Sequence, residues 1–568
     1  MQALIQPSDL LTLLLILSTA VVLGRLLAPY ITAIFTSAPS RIDRVLSPIE
    51  NRIYQLLGVD PTHGMGWREY FLSAVILNIF QMSLAFIIFV FQNILPLNPQ
   101  GFSGLSLDLA FMQVISFATN TNLQHYNGGG ICTNPPNCYP LPSMPGLSYL
   151  SQMTAVQFLQ FTSAATGLCV AVAMVRGFVS RSQNLGNFYT DFVRSLTRLF
   201  LPLCFVAALI FVALGVPQTI GGYQTVTTVE GATQTILVGP VASLVSIMQL
   251  GTNGGGYYGA NSAYPFQNPN PASDIFQILL MLLIPTSLCF VFGQLLGKRR
   301  EARPIIIGAY SLFALDLLLA FIPSYGLGRG IEVRFGGFFS TFWTIATTAV
   351  TTGSVNSSLA GMNPLVILSA FMGMLIQSTP GGKGVGLMYM VMYIIITVFI
   401  VGLMSGRTPE YLGMKINARD VKIVMITFLV HPVIILVPTV LAYATGATSA
   451  LKVSTDSIGF TRIFYEFTSA ASNNGSDFLG ATGNTPFFNI STALVMFIGR
   501  FAPIGLLLAL AGSMINRKRS TEIGLRTDSI TFTIVLVGSI LLLVVLTFFP
   551  FLALGPILEF FQKRVNGF

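Results

Sequence analysis

The sequence predicts an all-α polytopic membrane protein: ten transmembrane helices, with four pseudo-fourfold repeats of span, short helix and span. Three observations lead there. Of 568 residues, 53% are hydrophobic and 9% charged, against roughly 25% charged in soluble domains, so no multidomain water-facing surface can be built. Long apolar runs recur along the whole chain. Between them stand four apolar runs too short to cross a bilayer, each ending in a small polar cluster.

A helix needs about 20 apolar residues to cross ~30 Å of hydrocarbon. Spans are expected near 8–30, 70–94, 151–177, 195–215, 272–296, 304–322, 363–405, 421–443, 488–512 and 528–555. The first run carries Asp9 and is followed by Arg25, with no basic leader and no small-residue cleavage site, so it reads as a retained span. The net charge of +9 comes from basic residues in alternate loops: Arg41 to Arg68, Arg176 to Arg198, Lys298 to Arg303, Arg407 to Lys422, and Arg517 to Arg519. The positive-inside rule makes these loops cytoplasmic and puts both termini outside. Scattered as they are, the basic residues do not suggest a nucleic-acid partner. Cys169, Cys204 and Cys289 lie in apolar runs. Cys132 and Cys138, in ICTNPPNCYP, fall outside by this topology, where a local disulfide could survive; the pairing stays open.

The four short runs are 104–118, 240–251, 337–350 and 459–472. Their clusters are Thr119-Asn120-Thr121-Asn122, Thr252-Asn253-Gly254-Gly255, Thr351-Thr352-Gly353-Ser354 and Asn473-Asn474-Gly475-Ser476. The intervals between clusters are unequal, as in a divergent repeat. Exposed irregular backbone is forbidden in lipid but can line a watery cavity. Carbonyl oxygens in such a cavity can replace the water shell of a cation. Taking the third residue of each cluster as equivalent gives Thr121, Gly254, Gly353 and Gly475, and glycine permits the positive φ that turns successive carbonyls to one axis. Short helices entering from outside would aim their negative ends at the ion. Plain polar hairpins are the alternative, which four matched clusters on one side disfavour. Asp477 alone follows a cluster, so no carboxylate ring suggests Ca²⁺.

At TNTNLQ (119–124), GTNGGGYYGANSAYPFQNPNP (251–271), TTGSVN (351–356), SGRTPEYLG (405–413), SNNGS (472–476) and MFIGRFAPI (496–504) the chain resembles the potassium-binding A subunit of Kdp-type potassium-transporting ATPases. The resemblance runs in order over nearly the whole chain. It implies high-affinity potassium uptake across the bacterial plasma (inner) membrane, with K⁺ as the bound ion. ATP hydrolysis would lie on a separate P-type ATPase catalytic subunit, beside a small C subunit and a very small F subunit. The chain is then no enzyme on its own. In agreement, it has neither a GxxxxGK[ST] loop nor an Asp-Lys-Thr-Gly motif. The implied organisation is an extra span and basic loop (1–69), pore repeats at 70–180, 190–300, 304–406 and 420–516, and an extra span at 528–568.

The run 363–405 is twice the length of one span, and STPGGKGVG (378–386) lies in its middle. Proline and glycine will not sustain a helix there. Two half-helices joined by an intramembrane loop are expected, and the resemblance implies that this loop obstructs the pore. Gly381, Gly382, Lys383, Gly384 and Arg500 are the gate candidates; Lys383 could instead snorkel to the interface. Arg500 lies mid-span, where a charge is costly and points to function; the alternative is a buried arginine that caps carbonyls of the broken helix. Asp316 reads as a packing partner, and His63, His125 and His431 are scattered and receive no role. Two rivals remain. A self-sufficient potassium channel or ion-coupled transporter of the same superfamily would share this architecture. A membrane haem protein would need pairs of axial histidines, which three scattered histidines do not provide.

Overall fold

The computed structural model describes residues 6–36, 43–126, 145–179, 184–231, 233–321, 331–382, 384–451, 453–515, 517–519 and 526–565. Among the described residues, ten helices are long and apolar enough to cross a membrane. They are α1 (Pro7–Thr36), α3 (Trp67–Val90), α5 (Tyr149–Val179), α6 (Phe188–Ala213), α8 (Pro271–Leu295), α9 (Arg299–Phe321), α12 (Val385–Met404), α13 (Ala418–Ala444), α15 (Pro486–Met514) and α16 (Ile530–Gln562). The shorter helices are α2 (Asp43–Leu57), α4 (Leu107–Ala118), α7 (Val241–Leu250), α10 (Gly336–Ala349), α11 (Pro364–Ile376) and α14 (Ser457–Ala471).

Polar residues set the helix starts. Asn270 caps α8 and exchanges hydrogen bonds with Ser273, Thr485 caps α15, and Ser529 caps α16. Proline occupies the first turn of α8, α11 and α15, where its missing N–H costs nothing. Burial orders the spans. The best apolar window of α5 is 89% buried, so α5 is central, whereas that of α1 is 22% buried and leaves Leu11, Leu14, Leu15 and Leu26 facing outward. A helix that is apolar all round yet exposed in this way suits lipid contact.

Each of the four short apolar helices lies between long neighbours. α4 packs on α3, α5 and α15; α7 on α6 and α8; α10 on α9 and α11; α14 on α13 and α15. The expected long run at 363–405 is broken, as α11 and α12 separated by residues 377–384. Among the described residues the strands form two small antiparallel ribbons, Gln224–Thr227 with Thr233–Ile236 and Glu410–Tyr411 with Met414–Lys415. At one end of the bundle Arg198 ties α6 to α2, donating to Glu50 Oε2 at 2.6 Å and Asp43 Oδ1 at 2.5 Å.

Candidate ion-binding site

The ends of the four short helices decide how the polar clusters align. α4, α7, α10 and α14 end at Ala118, Leu250, Ala349 and Ala471. Three residues further on, the amides of Thr121, Asn253, Thr352 and Asn474 donate to the carbonyls of Ser116, Met248, Thr347 and Ser469. The residues just before these are all left-handed: Asn120 at φ +66°, Thr252 at +39°, Thr351 at +47° and Asn473 at +52°. Side chains resist that conformation, so four occurrences at one position mark a backbone held by its surroundings.

This register corrects the sequence alignment in the first cluster. Asn122, not Thr121, is the partner of Gly254, Gly353 and Gly475. The reason is local: Gly251, Val350 and Ser472 each intervene between a helix and its left-handed residue, and in the first cluster Thr119 fills that place. A second correction concerns φ. Asn122 (+58°), Gly353 (+87°) and Gly475 (+102°) are left-handed, but Gly254 is not. What Gly254 needs is space, because a Cβ there would collide with the Thr352 carbonyl oxygen.

The turns meet edge to edge. A Cβ on Gly353 would strike the Asn474 carbonyl, and one on Gly475 the Thr121 carbonyl. Asn120 Nδ2 closes the circuit by donating to the Thr252 carbonyl at 2.6 Å. Ser163 of α5 gives its hydroxyl to both Asn120 Oδ1 and Asn253 Oδ1 at 3.1 Å. Asn473 Nδ2 reaches Thr121 Oγ1 at 2.9 Å, and Asn474 Nδ2 reaches the Thr347 carbonyl at 3.0 Å. Thr119, Ser354 and Ser476 are buried like the rest, as is Gly255; Gly475 alone is partly exposed. Among the described residues, the carbonyls of Thr121, Asn253, Thr352 and Asn474 accept no hydrogen bond, nor do those of Asn122, Gly254, Gly353 and Gly475. One residue further along, the carbonyls of Leu123, Gly255 and Ser354 are engaged by Ser116, Gln160 and Trp343. Buried carbonyls normally find partners, so two successive sets left free are an offer of oxygen ligands without a carboxylate.

The broken segment lies against this assembly. Gln377 turns the chain at φ +57°, and its side chain meets His431 Nε2 at 2.7 Å. The Gly381 amide and the Thr379 hydroxyl both donate to the carbonyl of Ala349, the last residue of α10. A Cβ on Gly382 would meet Thr351, and one on Gly384 the Gly167 carbonyl of α5. The segment is thus wedged between a polar turn and α5, where only glycine fits. Arg500 is 4% exposed, and among the described residues it has no carboxylate partner. Its Nη2 donates to the carbonyl of Ser163 at 3.1 Å, one residue from the turns. Lys383, Cys132 and Cys138 lie outside the described residues.

Sequence reasoning missed a buried polar group behind the turns. His125 and Glu466 are fully buried and 3.0 Å apart. Burial and the neighbouring Glu466 carboxylate push the Asp477 carboxyl well above its usual range. No periodicity marks these residues, since their meeting depends on contacts across more than 300 positions. Asp316 is buried in α9 with Oδ2 unpartnered among the described residues, and its backbone carbonyl accepts from the Ser369 hydroxyl.

Comparison with known proteins bears on this geometry. Residues 11–561 match the family model described as "Potassium-transporting ATPase A subunit". The chain is 43% identical over 567 residues to the potassium-transporting ATPase potassium-binding subunit of Caldanaerobacter subterraneus subsp. tengcongensis, covering 95% of this chain and 97% of that one. With nearly the whole sequence matched and the polar turns inside the match, this chain belongs to the potassium-transporting ATPase A subunit family.

Proposed function

We propose that the four polar turns form one selectivity filter and that this chain binds external K⁺ there for ATP-driven import. As a member of its family the chain is the potassium-binding subunit of the complex. The observation that carries the filter reading is the two successive sets of unengaged carbonyls, supplied by four equivalent turns. Carbonyl dipoles held by a fixed frame replace the hydration shell of a large, weakly hydrated cation. Here the frame is Ser163, Asn120, Asn253, Asn473 and Asn474, whose side chains fasten turn to turn.

Residues 377–384 and Arg500 act as the gate in this reading. The loop fills the space against Thr351 and α5, and the unpaired guanidinium repels a cation leaving the turns. A closed lower gate makes sense in a pump, because a freely open pore would dissipate the gradient. The four pore repeats take the boundaries given above. The basic loops face the cytoplasm of a bacterial inner membrane and both termini face outward. Energy comes from a P-type ATPase catalytic subunit, with small C and F subunits completing the assembly. Family membership disfavours the self-sufficient channel.

The test is ATPase activity of the purified complex, titrated with potassium, rubidium and sodium. Stimulation by potassium well ahead of sodium is expected, and altered ion preference when Gly254 becomes Asp. Normal assembly with unchanged preference in Gly254→Asp, Gly353→Asp and Gly475→Asp together would remove the filter reading.

A further inference from the structure

His125 stands three residues beyond Asn122, in the place that Tyr257 and Asn356 take beyond Gly254 and Gly353. Each of these positions is held by the fourth residue of a long helix. Gln152 of α5 donates to the Tyr257 carbonyl at 3.2 Å, Asp274 of α8 accepts from Asn356 at 3.1 Å, and Asn489 of α15 meets His125 Nδ1 at 2.8 Å. His125 alone among the three has a side chain of the type that changes charge near neutral pH. It also reaches a second helix, through Nε2 to Glu466 Oε1 of α14 at 3.0 Å. It therefore bridges the first turn to the helix that carries the fourth.

Donor and acceptor accounting fixes the protons of this bridge. Asn489 Nδ2 donates to Asp108 Oδ2 at 2.7 Å and Asn484 Oδ1 at 2.8 Å, so Asn489 Oδ1 faces the ring as an acceptor. His125 Nδ1 must then donate. Nε2 faces a carboxylate oxygen, and a neutral ring has no second N–H to give. The contact is complete only when the pair holds one proton more than neutral imidazole plus carboxylate. That proton sits on Nε2 or on Glu466, and either placement makes the same bond. Other groups near the pair are Asp477 beyond α14, Asp108 on α4 through Asn489, and the hydroxyl of Tyr465. Glu466 Oε2 has no hydrogen-bond partner among the described residues. A Cβ on Gly483 would strike the ring at Nε2, so only glycine fits beside the bridge.

The geometry points to the His125–Glu466 bridge as a positioning device that sets the potassium affinity of the turns and makes that affinity depend on a proton. The inference rests on the filter reading above. With the proton in place the first and fourth turns are locked together, with the Thr121 carbonyl against Gly475. Without it two acceptors face each other and the turns separate. Affinity is therefore highest at acidic pH and weakens as pH rises through the titration of the pair.

Glu466→Gln separates this role from simple packing. A glutamine amide donates to a neutral ring, so the bridge is complete without the extra proton. His125→Leu removes the bridge altogether. The experiment measures the potassium concentration for half-maximal ATPase stimulation of the purified complex across pH. Wild type is expected to lose affinity toward alkaline pH, and E466Q to give a flat profile. H125L is expected to be weaker by roughly tenfold at every pH, as when a group orienting an ion ligand is lost. Gly353→Ala is run in parallel. A pH profile of E466Q that matches wild type, with G353A still weakening potassium, overturns the inference and leaves the filter standing. Unchanged behaviour of G353A as well overturns both. Should H125L fail to assemble, E466Q decides the matter alone.

Discussion

At the scale of single residues the sharpest contrast lies between glycines that look alike in sequence. Gly353 combines φ +87° with a carbonyl of the next turn where its Cβ would stand, while Gly254 has only the crowding. Gly353→Ala should therefore weaken potassium half-saturation of the ATPase by roughly tenfold, the loss typical of a displaced ion-orienting group, and Gly254→Ala by less. Equal effects would show that φ is not what matters. Arg500→Gln tests the other end of the path. Burying an unpaired charge is costly, so this variant should be at least as thermostable as wild type, yet show a small passive potassium leak in liposomes without ATP. A tight R500Q protein would remove the electrostatic barrier. The four polar turns were legible at this scale because Thr, Asn and Gly repeat after apolar runs. Its register was not, because TNTN offers two alignments and only the end of α4 at Ala118 chooses between them. His125 was illegible altogether, since a lone histidine has no pattern and its partners are set by tertiary packing.

Among the elements, the broken helix was the most legible, as STPGGKGVG forbids continuous helix and the structure interrupts it at 377–384. The reason for four glycines was hidden: a Cβ on Gly382 would strike the Thr351 hydroxyl, one on Gly384 the Gly167 carbonyl, and Gly381 and Gly386 crowd each other. Deleting Gly381–Gly384 should open an ATP-independent potassium flux in liposomes, larger than that of R500Q. A folded deletion protein that stays tight would sink the gate. The fastening of α2 gives a second test. Burial raises the Glu50 carboxyl, but hydrogen bonds from Arg198 and Thr197 outweigh it and hold Glu50 below its usual range. A carboxylate depressed in the folded state contributes stability above its unfolded value, and loses it as pH falls through the folded one. Acid should loosen α2 before the bundle melts. Glu50→Ala should cost about 1–3 kcal/mol, as for a buried donor left without its acceptor, measured by thermal denaturation of the purified complex. An E50A protein as stable as wild type, or equally acid-sensitive, would argue against this tie.

For the whole molecule, the proposed filter has a thermodynamic signature independent of transport. The oxygen ligands come from residues 121–122, 253–254, 352–353 and 474–475, so one ion would join four distant parts of the chain. An ion that binds only the folded form stabilises it by about 2.7 kcal/mol at a hundredfold excess over its dissociation constant. Unfolding entropy near 2.1 cal/mol/K per residue makes this a Tm rise of only about 2 °C for a chain of this length. Such a shift is within reach of a differential melt. Potassium should raise the Tm of the purified chain or complex, while the same concentration of sodium should not, which separates binding from ionic strength. Rubidium should act like potassium, because carbonyl dipoles suit large cations. Gly353→Asp should abolish the potassium increment while the sodium baseline changes separately, since the variant loses the site rather than the response to salt. Equal shifts with potassium and sodium would mean that the turns are structural and that potassium is recognised elsewhere in the chain.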